Sequence, residues 1–120
     1  MKILIADDSK VMRMIVARTL RQAGYGDVEI VEAVDGADAL RLVAEEGPDL
    51  VLSDWNMPQM TGLQLLQTLR AQGDTRPFGF VTSEGSEQMR TLAEQAGALF
   101  LIAKPFTAES FADALSVLAA

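Results

Sequence analysis

An apolar run gives way abruptly to polar residues and a proline in the segment Asp49-Leu50-Val51-Leu52-Ser53-Asp54-Trp55-Asn56-Met57-Pro58. Residues 50–52 lie between the turn signals Gly47-Pro48 and Met57-Pro58, a pattern typical of a strand buried on both faces. Asp54 therefore comes at the carboxyl end of a buried strand. Ligands of open α/β sheets bind in the crevice beyond these strand ends, so a carboxylate there indicates a functional site.

Further apolar and amphipathic segments alternate on either side of this strand. The apolar runs predict strands at residues 2–6, 28–33, 50–53, 78–81 and 99–103. Helical spacing and cap residues predict a helix ending at Gly24, one from Asp35 to about Glu46, one from about Gly62 to Arg70, one ending at Gly97 and one capped by Thr107. Five strands alternating with five helices predict one α/β domain over residues 1–120, with a parallel sheet covered on both faces.

Some side chains can be assigned to a buried or an exposed position from spacing alone. Leu92 belongs to the apolar stripe of the fourth helix, and Phe106 and Phe111 have the spacing of a hydrophobic staple around the last one. Glutamates in the second strand indicate that it lies at an edge of the sheet, while periodicity leaves the rest of the strand order open. A solvated face of the first helix is predicted to include Arg13, Arg18 and Arg21.

The composition restricts the chemistry that is open to the chain. Its 120 residues include 10 basic and 17 acidic ones, no histidine and no cysteine, for a net charge of -7. This charge repels nucleic acid and anionic membranes, so neither is expected as a partner. Without imidazole or thiolate groups, catalysis or binding must use carboxylates, lysine, hydroxyls or a hard cation. No stretch approaches the ~18 consecutive apolar residues of a membrane span, and the first apolar run is too short for a signal peptide, so a cytoplasmic location is expected.

Polar side chains follow four of the five predicted strands. They are Asp7 and Asp8 after the first, Asp54 after the third, Thr82 after the fourth and Lys104 after the fifth. These ends share one edge of a parallel sheet, so the side chains should converge. A like-charged pair at ~4 Å costs about 4 kcal/mol at an effective dielectric of about 20, so a cation must offset the carboxylates. Lys104 supplies one charge, and oxygen ligands alone suit Mg²⁺. The alternative is a surface acidic cluster without a ligand.

A carboxylate beside Mg²⁺, an ammonium and a hydroxyl has the groups needed to accept a phosphoryl group. Asp54 fits the role of the nucleophile because it is the single carboxylate at the central strand. Asp7 and Asp8, which are adjacent in sequence, fit the role of metal ligands. The metal and Lys104 would stabilise the charge on the equatorial phosphoryl oxygens. A main-chain carbonyl at Asn56, two residues beyond the nucleophile, could complete the coordination.

The chain resembles the receiver domains of two-component response regulators, in particular the stand-alone chemotaxis regulators of the CheY type. The matching motifs are Asp7-Asp8-Ser9, Ser53-Asp54-Trp55-Asn56-Met57-Pro58 with Thr61-Gly62, Val81-Thr82-Ser83 and Lys104-Pro105-Phe106. The resemblance implies a flavodoxin-like (βα)5 fold, doubly wound, whose parallel five-stranded sheet has the order 2-1-3-4-5 that flavodoxin and CheY share. It also implies a cis peptide bond between Lys104 and Pro105.

The resemblance further implies the roles of the site residues and the partners. Asp54 would take a phosphoryl group from a sensor histidine kinase; Asp7, Asp8, Asp54 and the Asn56 carbonyl would surround Mg²⁺; Thr82 and Lys104 would contact the phosphoryl oxygens. Such a protein is a phosphoacceptor that catalyses only its own phosphorylation and dephosphorylation, not an enzyme with a separate substrate. A monomer without an effector domain is expected, which signals by phosphorylation-dependent binding to a flagellar motor switch or another relay protein, with a phosphatase as a further partner.

Two residues depart from the family pattern. Leu101 stands three residues before the lysine, where relatives carry an aromatic switch residue, and Ser83 stands where alanine often follows the hydroxyl residue. Because leucine cannot act as the aromatic switch, Leu101 predicts weaker coupling between phosphorylation and output. One alternative function is a phosphate sink or phosphorelay shuttle without motor output. Another is a phosphatase with an aspartate nucleophile, which would need a second carboxylate where Asn56 stands, and a third is an unphosphorylated scaffold.

Overall fold

A computed structural model describes residues 1–119, so Ala120, the last residue of the predicted domain, lies outside the described part. The strands are β1 (Lys2–Ala6), β2 (Glu29–Ala33), β3 (Leu50–Ser53), β4 (Phe78–Thr82) and β5 (Phe100–Ala103). The helices are α1 (Lys10–Gln22), α2 (Gly36–Glu46), α3 (Gly62–Ala71), α4 (Glu87–Ala96) and α5 (Ala108–Leu115), followed by a 3-10 helix at Ser116–Ala119. Every predicted element is present, with bounds that differ by about one residue.

The five strands are all parallel and form one sheet in the order β2-β1-β3-β4-β5. This order confirms the flavodoxin-like, doubly wound fold, and it confirms that β2 is an edge strand. The strands β1 and β3 lie next to each other in the middle of the sheet, so the polar residues that follow them are neighbours. Among residues 1–119, no helix has both the length and the apolar character that crossing a bilayer requires.

Side-chain caps explain where the helices begin, and glycines explain where several end. Each helix starts after a residue whose side chain accepts a main-chain N–H three residues later; these residues are Ser9, Asp35, Thr61, Ser86 and Thr107. Gly47 and Gly97 end α2 and α4 in the left-handed conformation, as predicted. The cap of α1 is Ala23 rather than Gly24, because the glycine supplies the positive φ just beyond the cap.

The sheet buries apolar side chains on both faces, because successive strand residues point in opposite directions. In β3, Val51 packs in the cluster that α2, α3 and α4 cover, whereas Leu50 and Leu52 pack in the cluster beneath α1 and α5. The rings of Phe106 and Phe111 lie 4.7 Å apart between centroids, which confirms the predicted staple at the start of α5.

The helix α4 is the least buried of the five helices. Ala93 is the only fully buried residue that it contributes, and Leu92 is 47% exposed, so the prediction that Leu92 faces the core was wrong. The physical reason is the position of α4, which packs on the edge strand β5 and on α3 and therefore turns only a narrow strip towards the core.

Candidate functional site

The main chain delivers the polar residues to one edge of the sheet. The N–H of Asp54 donates to the Ala6 carbonyl at 2.9 Å, and the N–H of Lys104 donates to the Thr82 carbonyl at 2.8 Å. The main-chain hydrogen bonds between neighbouring strands therefore continue past the strand ends and hold the adjoining loops in register. The peptide bond between Lys104 and Pro105 is cis, in agreement with the family resemblance.

Three carboxylates and one ammonium meet at this edge. Asp7, Asp8 and Asp54 each present an oxygen, and these atoms all lie within 4.8 Å of one another. The Lys104 Nζ atom lies 3.4 Å from Asp7 Oδ2 and 3.6 Å from Asp54 Oδ2. Asp7 is buried, Asp54 is partly buried and Asp8 is exposed, so the cluster runs from the interior to solvent.

The electrostatics of the cluster make an ionised Asp7 costly. Burial raises the pKa of the Asp7 carboxyl above its usual value of 3.8, and the neighbouring Asp54 raises it further. The Ser9 N–H, which donates to Asp7 Oδ1 at 2.9 Å, and the Lys104 ammonium lower the pKa but do not cancel the effect of burial. A cation bound between the carboxylates would therefore be favoured.

Local contacts fix the position of Asp54. The Trp55 N–H donates to Asp54 Oδ1 at 2.7 Å, and the Ser53 hydroxyl donates to the Asp54 carbonyl oxygen at 2.8 Å. The first residue of α3 is Gly62, whose N–H donates to the Trp55 carbonyl at 2.8 Å. A Cβ atom at this glycine would collide with the Asp54 carbonyl oxygen, so the close approach of α3 requires glycine.

Thr82 and Asn56 face the loop between β4 and α4. Thr82 is fully buried, and its Oγ1 atom accepts the Glu84 N–H at 3.3 Å. Asn56 is exposed, and its Nδ2 atom donates to Glu84 Oε1 at 3.2 Å. Glu84 thus ties the loop after β3 to the loop after β4 at the rim of the site, a role that its position in a polar loop did not indicate from sequence.

The sequence prediction for Arg13 was wrong, because this side chain is only 8% exposed rather than solvated. Its Nη1 atom donates to the Asp7 carbonyl at 2.6 Å, and its Nε atom donates to Glu32 Oε1 at 2.9 Å. The missed signal is helical spacing, since Arg13 precedes the buried Val16 and Leu20 by three and seven residues and so shares their face. Arg18 is exposed as predicted.

The donor set of the site fits Mg²⁺. Mg²⁺ binds oxygen ligands and is usually held by one or two carboxylates together with waters and phosphate oxygens. The site offers carboxylate oxygens from Asp7, Asp8 and Asp54, one of them with a raised pKa, and the Asn56 main chain follows two residues after Asp54. The chain has no histidine or cysteine that would favour a softer metal.

The doubly wound sheet and the acidic cluster at its carboxyl edge are those of a signalling receiver domain. Residues 3–116 match the response regulator receiver domain, and the chain belongs to this family. It is 40% identical over 117 residues to the chemotaxis protein CheY-3 of Vibrio cholerae, covering 96% of this chain and 88% of that protein. It is 38% identical over 120 residues to the chemotaxis protein CheY1 of Helicobacter pylori, covering 98% and 95%. The solved structure of CheY4 of Vibrio cholerae matches with a TM-score of 0.83 at 34% identity, covering 97% of this chain and 96% of that chain.

Family membership establishes the general activity. Receiver domains are phosphoacceptors rather than classical enzymes, they bind Mg²⁺ in an acidic pocket, and they interact with histidine kinases and with downstream targets. The chain is therefore a response regulator receiver domain.

Proposed function

We propose that this receiver domain takes a phosphoryl group on Asp54 from a sensor histidine kinase and signals by phosphorylation-dependent binding to another protein, in chemotaxis. The observation that carries the proposal is the position of Asp54, whose Oδ2 atom lies 3.6 Å from Lys104 Nζ within a cluster of three carboxylates. The relatives from Vibrio cholerae and Helicobacter pylori are both chemotaxis proteins, which supports the choice of pathway.

Asp54 is favoured over its neighbours as the nucleophile. Asp7 is buried, and its two carboxylate oxygens are occupied by the Ser9 N–H and by Lys104. Asp8 is exposed and lies at the rim of the cluster. In Asp54, the Trp55 N–H donates to Oδ1, whereas Oδ2 accepts no hydrogen bond from the described residues and lies 3.6 Å from Lys104 Nζ.

The transfer is an in-line displacement at phosphorus. A new bond forms between an Asp54 carboxylate oxygen and phosphorus, the phosphorus–nitrogen bond of the kinase phosphohistidine breaks, and its electron pair and a proton remain with the imidazole. Asp7, Asp8, Asp54 and the Asn56 carbonyl would hold Mg²⁺, which when bound supplies positive charge to the phosphoryl oxygens. Lys104 donates to these oxygens through its ammonium and Thr82 through its hydroxyl, and both are held at strand ends by the ladder.

The second candidate function is a phosphate sink or phosphorelay shuttle without motor output. The observation in its favour is Leu101, which is buried in β5 and has neither a ring nor a hydroxyl to present to a partner. Its main-chain carbonyl accepts a hydrogen bond from Arg90 Nη1 at 3.1 Å, which ties β5 to α4.

The cytoplasmic location, the monomeric state and a phosphatase as further partner stay predictions, as does a single domain over residues 1–120.

Asp54→Asn tests the phosphoacceptor. Asparagine is nearly isosteric but not nucleophilic, so the variant should fold and take up no phosphoryl group from a kinase or a small phosphodonor, as measured by intact mass. Asp49→Asn is the matched control, because Asp49 immediately precedes β3 at the end of the strand opposite Asp54. This substitution should leave labelling unchanged. Full labelling of Asp54→Asn would refute the assignment. Partner affinity that is the same with and without phosphate, together with rapid return of the phosphoryl group to the kinase, would favour the sink.

A further inference from the structure

Arg13 joins the loop that carries Asp7 and Asp8 to the edge strand β2. Its guanidinium donates to the Asp7 main-chain carbonyl through Nη1 and to the Glu32 carboxylate through Nε. The side chain is buried, whereas the Glu32 side chain is half-exposed, so the ion pair bridges the interior and the surface. A buried arginine in this position needs both partners, because burying an unpaired guanidinium is costly.

The contact acts on both carboxylates that follow β1. The carbonyl group of Asp7 belongs to the peptide unit that connects Asp7 with Asp8, so fixing its oxygen fixes the orientation of that unit. The N–H of Asp7 is fixed on the other side, since it donates to the Ala33 carbonyl at 3.2 Å. Arg13 therefore constrains the direction in which the two carboxylates leave the main chain, although its hydrogen bonds go to the Asp7 carbonyl and to Glu32 rather than to these carboxylates.

We propose that Arg13 is a positioning residue of the cation site, and that Glu32 anchors it. The inference rests on the proposed function, because it concerns the Mg²⁺ site of which Asp7 and Asp8 are part. Arg13 holds the Asp7–Asp8 peptide in the orientation that directs both carboxylates towards the oxygen of Asp54. Groups that orient metal-binding side chains typically change metal affinity about 10- to 100-fold when they are removed.

Electrostatics alone predicts the opposite result for removal of this arginine. A guanidinium near a cation site repels the bound cation, so deleting its charge should strengthen Mg²⁺ binding if charge were the whole effect. Loss of orientation should weaken Mg²⁺ binding. The sign of the change in Mg²⁺ affinity therefore distinguishes a positioning role from a general effect of charge.

The experiment measures the dissociation constant of Mg²⁺ for the full chain, by titration calorimetry and by the fluorescence of Trp55, which is adjacent to Asp54. Arg13→Met should weaken Mg²⁺ binding about tenfold at a temperature where the variant is folded. Arg18→Met is the matched control, since it removes the same charge from an exposed position on the same helix. Its Mg²⁺ affinity should stay within about twofold of wild type, because salt screens exposed charges.

Arg13→Lys completes the test, and it decides the matter if the methionine variant does not fold. Lysine keeps the charge, but a single ammonium cannot reproduce the planar fork that contacts Asp7 and Glu32 together, so affinity should fall several-fold. If a folded Arg13→Met or Arg13→Lys binds Mg²⁺ as tightly as the wild type or more tightly, the positioning role of Arg13 is wrong. The proposed function would not be affected by that result. Failure of the wild-type chain to bind Mg²⁺ would instead overturn the metal site of the proposed function.

Discussion

Replacing Lys104 with methionine removes an ammonium group from the carboxylate cluster but keeps an unbranched apolar side chain. The Nζ atom lies 3.4 Å from Asp7 Oδ2 and 3.6 Å from Asp54 Oδ2, and the three side chains are only 16%, 5% and 13% exposed. Solvent therefore screens these pairs weakly. The variant leaves two largely buried carboxylates without this partner, and the folded state should lose stability.

The distances set the size of the effect. Each pair has a gross attraction of about 5 kcal/mol at an effective dielectric of about 20. Desolvation of the ammonium offsets much of this, and breaking a buried pair typically costs about 3–5 kcal/mol. We expect the free energy of unfolding of the Mg²⁺-free protein to fall by about 3 kcal/mol at neutral pH. Saturating Mg²⁺ should shrink the loss, because the ion replaces the missing cation and stabilises the native state that binds it.

Urea denaturation followed by circular dichroism, in a chelator and in saturating Mg²⁺, measures both free energies. Lys2→Met is the matched control, because Lys2 Nζ also makes two ion pairs, each 3.6 Å long, at the opposite end of the sheet. Its partners Glu29 and Glu46 are 65% and 40% exposed, so this control should lose less than about 1 kcal/mol, with or without Mg²⁺.

Two outcomes would refute this reasoning about Lys104. An equal loss in chelator and in Mg²⁺ would show that Lys104 acts through the packing of its stem rather than through its charge. A loss no greater than that of Lys2→Met would show that the two ion pairs of Lys104 do not offset the repulsion between Asp7 and Asp54.

Two further predictions concern pH and output. Because the pKa of Asp7 is raised above 3.8 in the folded state, that state binds more protons than the unfolded chain. The contribution of Asp7 to the free energy of unfolding without Mg²⁺ should therefore decline as pH rises from about 3.8 through the folded pKa. Urea denaturation across this pH range should show the free energy of unfolding of the wild type falling relative to that of Asp7→Asn. Leu101→Tyr introduces an aromatic residue on β5 opposite Phe80, two residues before Thr82 in β4, and should increase the ratio of partner affinities with and without phosphate. Titration of a partner with phosphorylated and unphosphorylated protein checks this, and an unchanged ratio would show that Leu101 does not limit the coupling.

Local patterns were sufficient to predict the elements and the set of residues at the sheet edge. Burial on both faces forces a strand such as β3 to be continuously apolar, so its end at Asp54 is visible in the sequence. Capping requires particular side chains at helix starts, which located Asp35 and Thr107 correctly. Parallel strands share one edge for their carboxyl ends, which is why Asp7 and Lys104 could be expected to meet although 97 residues separate them.

Packing between elements decided the features that periodicity could not predict. Spacing reports which face of one helix is apolar, but not which neighbour that face meets or how much of it is covered. Leu92 is exposed because α4 lies over an edge strand, and Arg13 is buried because β2 brings Glu32 within 2.9 Å of its guanidinium. Helical spacing can place Arg13 on the buried face of α1, but its partner Glu32, 19 residues away in sequence, is supplied only when β1 and β2 have aligned.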